Sequence, residues 1–131
     1  MRKKILVVDD DPELIELLGF NLQMAGFIVS RAANGAEALK KVKAAIPDLI
    51  VLDVMMPEMN GFEVCEILRR NPETSGIPII MLTAVSSELS RFAGFGAGAT
   101  DYVTKPFSIK QLIGRIEELL HVPHAELSHR N

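Results

Sequence analysis

The sequence has few cysteines and no long hydrophobic run, and each shortage excludes a class of protein. Among 131 residues there is one cysteine, Cys65. A single cysteine cannot form an intrachain disulfide or a thiolate metal cluster, and its simplest interpretation is a small buried apolar side chain. No apolar run approaches the roughly 20 residues that span a bilayer. The basic residues Arg2, Lys3 and Lys4 precede an apolar run too short for a signal peptide. We therefore expect a cytoplasmic protein with no membrane partner.

An excess of positive charge is also missing. The formal net charge is −3 at pH 7. A surface that binds nucleic acid usually carries a basic patch or stripe, so direct nucleic-acid binding by this domain is not expected. The hydrophobic fraction of 48% and the charged fraction of 24% are those of an ordinary globular protein. The length suits one compact domain with its own core.

What the sequence does contain is a regular alternation of strand and helix patterns. Short, wholly apolar runs such as residues 5–8 and 49–52 are typical of strands covered on both faces. Five strand–helix pairs with short connections predict right-handed crossovers and a parallel sheet with helices on both faces. This is an α/β, doubly wound architecture with five strands and five helices. The predicted strands are residues 5–8, 27–32, 49–52, 77–82 and 101–104.

The predicted helices are supported unequally by their sequences. Asp11 and Pro12 form a clear helix start. The fourth helix, within residues 86–98, contains three glycines, each of which costs a helix about 1 kcal/mol relative to alanine. Those glycines indicate either a mobile output surface or close packing. The residues predicted to face the core are Leu14, Leu17, Leu18, Leu22, Ala25, Leu39, Val42, Ile46, Val64, Ile67, Leu68, Leu112, Ile116, Leu119 and Leu120.

Charged and hydroxyl side chains follow the ends of the predicted strands. Asp9 and Asp10 follow the first strand, and Asp53 follows the third. Thr83 and Lys105 follow the fourth and fifth. The carboxyl ends of parallel strands share one edge, where neighbouring strands lie about 4.8 Å apart and ligands bind. The alternative, that the first acids only start a helix, fits the preference of acids for that end but leaves Asp53 and Lys105 unexplained.

Carboxylates that converge in this way predict a cation site. Their mutual repulsion either raises a pKa or recruits a cation. Mg²⁺ fits best because it prefers carboxylate and phosphate oxygens, and no histidine or cysteine stands at these strand ends to favour zinc. A carboxylate in such a site can attack a phosphoryl group and form an aspartyl phosphate. The metal and the lysine would neutralise the phosphoryl oxygens, and a threonine hydroxyl would donate to them.

Four motifs in order give the sequence a family resemblance. They are ILVVDDDP, LIVLDVMMPEMNG, IIMLTA and DYVTKPF. With them the chain resembles the receiver domain of bacterial two-component response regulators, of the chemotaxis-regulator-like type, over about residues 3–121. The resemblance implies a flavodoxin-like sheet of strand order 2-1-3-4-5. It also divides the chain into a receiver domain, residues 1–121, and a flexible C-terminal tail, residues 122–131.

The resemblance implies a role for each residue of the site. Asp53 would be the phosphoacceptor. Asp9, Asp10 and Asp53 would hold Mg²⁺, together with the backbone carbonyl of Met55. Thr83 and Lys105 would contact the phosphoryl group.

The resemblance further implies a switch and its partners. Phosphorylation by a sensor histidine kinase or a phosphotransfer protein would draw Thr83 toward the phosphoryl group and turn Tyr102 inward. The surface of the fourth helix, fifth strand and fifth helix would then change shape. The bond between Lys105 and Pro106 is typically cis in relatives. The protein would be no enzyme beyond its own phosphorylation and dephosphorylation.

Two further expectations concern lifetime and assembly. The positions two after Asp53 and Thr83, Met55 and Val85, tune phosphoryl lifetime in the family, and neither side chain can activate water, so we expect a long-lived phosphoryl group. Three charges, Arg91, Asp101 and Arg115, lie on the face that many DNA-binding relatives use to dimerise. They predict a phosphorylation-dependent homodimer, with ordinary solvated surface charges as the alternative.

A second class of function also fits an aspartyl phosphate. Mg²⁺-dependent phosphatases of the haloacid-dehalogenase type carry a second acid two residues after the nucleophile, where this chain has Met55. Asp9 and Asp11 satisfy that spacing, but Glu13 stands where such enzymes commonly have threonine or valine. A flavodoxin-type binding protein has the same architecture, but the chain lacks a phosphate-binding loop after the first strand.

Overall fold

The sheet of the protein is the predicted one. A computed structural model describes residues 2–122. Five strands form a single sheet in the order 2-1-3-4-5, and every neighbouring pair is parallel. The doubly wound α/β fold is therefore confirmed. The strands are β1 (Lys4–Val8), β2 (Ile28–Ala32), β3 (Leu49–Leu52), β4 (Ile79–Thr83) and β5 (Asp101–Thr104).

Five helices cover the two faces of this sheet. The helices are α1 (Pro12–Met24), α2 (Gly35–Ala44), α3 (Gly61–Arg70), α4 (Glu88–Ala97) and α5 (Ile109–Leu120). Leu6 and Val8 of β1 point into a core shared with α2, α3 and α4. Ile5 and Val7 point into a second core, which is shared with α1 and α5. Side chains alternate along a strand, so the wholly apolar run of β1 supplies both cores. Cys65 is fully buried in the first core, as predicted.

Side-chain caps fix where the helices begin. The Asp11 carboxylate accepts from the Glu13 N–H at 3.0 Å, ahead of Pro12 in the first turn of α1. At α3, Asn60 and Glu63 form a reciprocal capping box. Capping side chains satisfy backbone N–H groups that a helix leaves unpaired. These caps fix the first turns of α1 and α3, the helices that follow the two strands whose ends carry Asp9 and Asp53.

One arginine ties together the ends of three elements. Arg69 of α3 donates to the carbonyls of Ser75, Ile77 and Gly98, at 3.1, 2.7 and 2.9 Å. Gly98 ends α4 with a φ of 110°, which glycine adopts without the penalty other residues pay. A Cβ at Gly98 would also lie 2.6 Å from the Arg69 side chain. The C-terminal end of α4 is thereby anchored to α3.

Several boundaries and inward positions differ from the prediction. Strand β2 begins at Ile28, one residue late, and β4 begins at Ile79 because Pro78 cannot donate to the ladder. Leu17, Ile46 and Ile67 were predicted to face the core but are 48%, 46% and 40% exposed. Apolar residues at the flank of a helix satisfy its periodicity yet point past the sheet, and Ile46 lies beyond the end of α2.

Two other predictions meet the limits of the described chain. Within residues 2–122, no helix combines the length and apolarity needed to cross a bilayer. The predicted tail, residues 122–131, lies outside the described residues except for Val122.

Candidate functional site

The carboxyl edge of the sheet brings the predicted acids together. In the register of β1 and β3, Val8 pairs with Leu52, and the Asp53 N–H donates to the Val8 carbonyl at 3.0 Å. Carboxylate oxygens of Asp9, Asp10 and Asp53 all lie within 4.8 Å of one another. We call these three side chains the acidic cluster. Their approach follows from the pairing of β1 with β3, because each acid comes directly after a paired strand.

Burial differs among the three acids. Asp9 and Asp53 are buried, with 3% and 5% of their surface exposed, whereas Asp10 is exposed. One Asp9 oxygen accepts from the Asp11 N–H at 2.9 Å. The Lys105 ammonium lies 2.9 Å from the other Asp9 oxygen and 3.7 Å from Asp53. One lysine thus faces two buried carboxylates, and the cluster retains an excess of negative charge.

Burial and the neighbouring charges shift the pKa values of Asp53 and Lys105. Burial, reinforced by the Asp9 carboxylate, raises the pKa of Asp53 above its ordinary value. Lys105, the Met55 N–H and Thr83 act in the opposite direction without reversing the shift. For Lys105, burial works to lower the pKa, but the bond to Asp9 and the charge of Asp53 raise it overall. Three carboxylates thus lie close to one lysine, and a bound cation would offset the remaining negative charge.

Thr83 and Lys105 are placed by the pairing of β4 with β5. Thr83 pairs with Thr104, and the Lys105 N–H donates to the Thr83 carbonyl at 2.8 Å. The peptide bond between Lys105 and Pro106 is cis. The Thr83 hydroxyl oxygen accepts from the Val85 N–H at 3.3 Å. Backbone hydrogen bonds at this edge of the sheet therefore fix the main chain from which both side chains extend.

The loop after β3 wraps closely around the main chain of Asp53. The Met55 N–H donates to an Asp53 oxygen at 3.3 Å, while the Met55 side chain is 61% exposed. The Gly61 N–H donates to the Val54 carbonyl at 2.9 Å. A Cβ on Gly61 would lie 2.3 Å from the Asp53 carbonyl oxygen. Glycine is thus required where α3 meets the end of β3, a role that the sequence pattern did not single out. The use of the Met55 carbonyl as a metal ligand stays a prediction.

Tyr102 lies on the opposite side of Thr83 from the acidic cluster. Its side chain is buried, with 2% of its surface exposed, and its hydroxyl donates to the Val85 carbonyl at 2.6 Å. The Ser90 hydroxyl lies 2.7 Å from the same phenol oxygen. Sequence reasoning missed Ser90, because nothing local to α4 indicates which strand residue it meets.

The three charges predicted for a dimer face have partners within the chain. Arg91 donates to the Tyr102 carbonyl at 3.3 Å. The Arg115 guanidinium lies 2.7 Å from the Asp101 carboxylate. Assembly through these residues stays a prediction, and it would begin from charges that are already paired.

Known proteins share both this sequence pattern and this fold. Residues 5–117 match the model of the response regulator receiver domain family. The alkaline phosphatase synthesis transcriptional regulatory protein PhoP of Bacillus subtilis is 48% identical over 120 residues, which are 92% of this chain and 49% of that protein. The chain spans about half the length of the curated relatives it matches.

Solved structures give the same result. The chemotaxis protein CheY4 of Vibrio cholerae superposes with a TM-score of 0.87 and 37% identity, over 92% of this chain and 100% of that one. The receiver domain of the Francisella response regulator 1452 superposes with a TM-score of 0.85 and 35% identity, over 92% and 98%. Matches of this extent cover the whole acidic edge of the sheet.

Proposed function

The chain belongs to the response regulator receiver domain family, and we propose that it accepts a phosphoryl group on Asp53 from a partner. The partner would be a sensor histidine kinase or a phosphotransfer protein that carries phosphohistidine. The observation that supports the proposal most is the setting of Asp53, which is buried, close to two other carboxylates and 3.7 Å from the Lys105 ammonium. Such a setting favours attack on phosphorus over ordinary surface ion pairing.

The transfer moves a phosphoryl group from nitrogen to oxygen. An Asp53 carboxylate oxygen attacks the phosphorus, and the bond from phosphorus to the histidine nitrogen breaks. The electron pair of that bond remains on the imidazole, and Asp53 becomes an acyl phosphate. Lys105 offsets the charge on the phosphoryl oxygens, and the Thr83 hydroxyl donates a hydrogen bond to one of them.

The donor set of the acidic cluster fits Mg²⁺. All three side chains offer carboxylate oxygens within 4.8 Å of one another, and Mg²⁺ binds through one or two carboxylates while keeping water. Asp10, Asp9 and Asp53 would hold the ion, with the Met55 backbone carbonyl as a further ligand. When bound, the ion neutralises charge between carboxylate and phosphoryl oxygens.

The signal would leave the site through Thr83 and Tyr102. A phosphoryl group that recruits the Thr83 hydroxyl favours the inward position of Tyr102 and with it one arrangement of α4, β5 and α5. Phosphorylation-dependent pairing of two chains through that surface is part of the proposal. We assign these roles to a receiver domain at residues 1–121, acting in the cytoplasm, with residues 122–131 as its tail.

Incubation with acetyl phosphate and Mg²⁺ tests the proposal. We expect intact-mass spectrometry to show a gain of one phosphoryl group per chain, which is absent in Asp53→Asn. Asp48→Asn is the matched control, because Asp48 lies at the other end of β3 and, among residues 2–122, its side chain accepts a hydrogen bond only from the Lys4 N–H. Uptake that persists in Asp53→Asn would contradict the proposal. Repeated hydrolysis of phosphate esters would point instead to a phosphatase.

The decay of the phosphorylated form tests the expected lifetime. Val85 is apolar and the exposed Met55 side chain cannot act as a base, so neither activates an attacking water. We expect the acyl phosphate to outlast a measurement of minutes in Mg²⁺. Complete loss within seconds would show that another group activates water.

A further inference from the structure

The hydroxyl of Tyr102 has a hydrogen-bond arrangement with only one possible direction. A phenol carries a single proton, and the Val85 carbonyl 2.6 Å away can only accept it. The Ser90 hydroxyl, 2.7 Å from the phenol oxygen, must therefore donate to Tyr102. The chain of donors runs from Ser90 through Tyr102 to Val85.

This chain connects α4 to the residue beside the acidic cluster. Val85 also donates its N–H to the Thr83 hydroxyl oxygen at 3.3 Å. At the other end, the Ser90 N–H donates to Ser87, the N-cap of α4, at 3.1 Å. Ser90 is thus held in the first turn of the helix, and its hydroxyl is the group by which that turn grips Tyr102.

Two neighbours of Ser90 shape the space that the tyrosine ring occupies. A Cβ on Gly94 would lie 2.9 Å from the Tyr102 ring, so the ring fits only beside a glycine. Arg91 places its guanidinium 5.3 Å from the ring centroid and donates to the Tyr102 carbonyl. We call Ser90, Arg91 and Gly94 the tyrosine seat. The seat offers a hydroxyl, a cation and an open space to one side chain.

We propose that Ser90 is a positioning residue, which holds Tyr102 inward and ties the first turn of α4 to the loop after Thr83. The inference deepens the proposed function, because it concerns the element through which that site would signal. Removal of the Ser90 hydroxyl leaves the phenol with a single partner. The ratio of inward to outward Tyr102 then falls about fivefold, as expected for one hydrogen bond.

The composition of the chain allows a direct measurement. Tyr102 is the only tyrosine, and there is no tryptophan. Incorporation of 3-fluorotyrosine into the full chain gives a single ¹⁹F resonance that reports Tyr102, and acrylamide quenching of tyrosine fluorescence reports its exposure. Neither measurement requires a phosphoryl donor.

The variants are Ser90→Ala, Ser90→Thr and Ser86→Ala. We expect Ser90→Ala to move the ¹⁹F resonance toward that of the urea-unfolded chain and to increase quenching. Ser90→Thr keeps a hydroxyl and restores the wild-type signal. Ser86 is exposed and makes no side-chain hydrogen bond within the described residues, so Ser86→Ala matches the wild type.

Two results would overturn the inference. In one, Ser90→Ala keeps the wild-type resonance and quenching. In the other, Ser90→Thr behaves as Ser90→Ala does, which would mean that side-chain size rather than the hydroxyl matters. Phosphoryl uptake measured by mass on the same samples separates the two proposals. A wild-type chain that fails to gain a phosphoryl group contradicts the function but leaves the Tyr102 result intact.

Discussion

The acidic cluster and the tyrosine seat lie on either side of Thr83, and they differ in how fully their polar groups are compensated by neighbours. In the acidic cluster, two buried carboxylates share one lysine, and burial, reinforced by the Asp9 carboxylate, raises the pKa of Asp53. At the tyrosine seat, the Tyr102 phenol, the Ser90 hydroxyl and the Val85 carbonyl satisfy one another through hydrogen bonds between neutral groups. The first region is stabilised by whatever brings positive charge, and the second is already satisfied.

The two regions therefore differ in how strongly they respond to an added charge. A region with uncompensated charge responds strongly to a cation or to a phosphoryl group, because electrostatic energies are large where water is excluded. A neutral network exchanges one hydrogen bond for another at a cost of about 1 kcal/mol. If Asp53 accepts a phosphoryl group as proposed, the position of the two regions on either side of Thr83 would let a large local change at Asp53 bias a movement of Tyr102 that costs little.

The largest effect is expected from a change that disturbs the main chain beside the acidic cluster. In Gly61→Ala, the new Cβ meets the Asp53 carbonyl oxygen, which is backbone and cannot move aside. We expect a loss of about 3 kcal/mol in the free energy of unfolding by urea, together with slower phosphoryl uptake. Gly114→Ala is the control, because no atom lies within 4 Å of its added Cβ. Equal stability of the two variants would show that α3 does not press on Asp53.

The tyrosine seat is tested by a pair of glycines on the same helix. Gly96 has open space around it, so Gly96→Ala is expected to stabilise the protein by up to about 1 kcal/mol through helix propensity. Gly94→Ala should destabilise it by about 1 kcal/mol, because the Cβ displaces the Tyr102 ring. Thermal or urea unfolding measures both. A gain in stability from Gly94→Ala would mean that the ring has room to move.

Asp53→Asn tests the charge imbalance of the acidic cluster, because it removes one of the three carboxylates. The folded-state pKa of Asp53 is raised, so the folded protein binds more protons than the unfolded chain as the pH rises above the ordinary value. Wild-type stability therefore falls as the pH rises through that window. We expect Asp53→Asn to be more stable than the wild type at neutral pH, because its side chain has no charge to bury, and to lose this advantage near pH 4. A variant that is less stable than the wild type at neutral pH would show that Lys105 outweighs the repulsion from Asp9.

The smallest effect on stability is expected from the ion pair between Arg115 and Asp101, the residue before Tyr102. The ion pair of Arg115 with Asp101 is partly exposed, with side chains 39% and 26% accessible. Exposed pairs of this kind contribute little, so Arg115→Gln should change the free energy of unfolding by less than about 0.5 kcal/mol. The same variant releases Asp101 for a partner chain, and analytical ultracentrifugation of the phosphorylated protein reports any change in dimerisation.

The acidic cluster could be predicted from the sequence, whereas the tyrosine seat could not. Asp9 and Asp53 follow apolar runs, and the geometry of parallel strands dictates that such ends meet. Ser90 and Tyr102 meet only because α4 lies across β5 at one particular rotation, which local periodicity does not determine. Gly61 was missed for a similar reason, since its requirement arises from a carbonyl eight residues earlier in the chain.

The fourth helix was the weakest prediction, and its glycines prove to differ. Gly94 serves close packing against Tyr102, and Gly98 ends the helix with a positive φ, while a Cβ added at Gly96 would extend into open space. Composition alone could not separate these three uses.

The three hydrogen bonds that Arg69 donates hold the two ends of α4 unequally. Its C-terminal end is anchored through Gly98, and about 12 Å away its first turn is held by the Ser90 hydroxyl. If the hydrogen bond of Ser90 breaks, we expect the N-terminal end of α4 to move while its C-terminal end stays in place. The exposed side chain of Phe92 would then be displaced farther than that of Phe95. Under the proposed function, the affinity of a partner that contacts the first turn of α4 would depend more strongly on the phosphorylation of Asp53 than that of a partner that contacts the last turn.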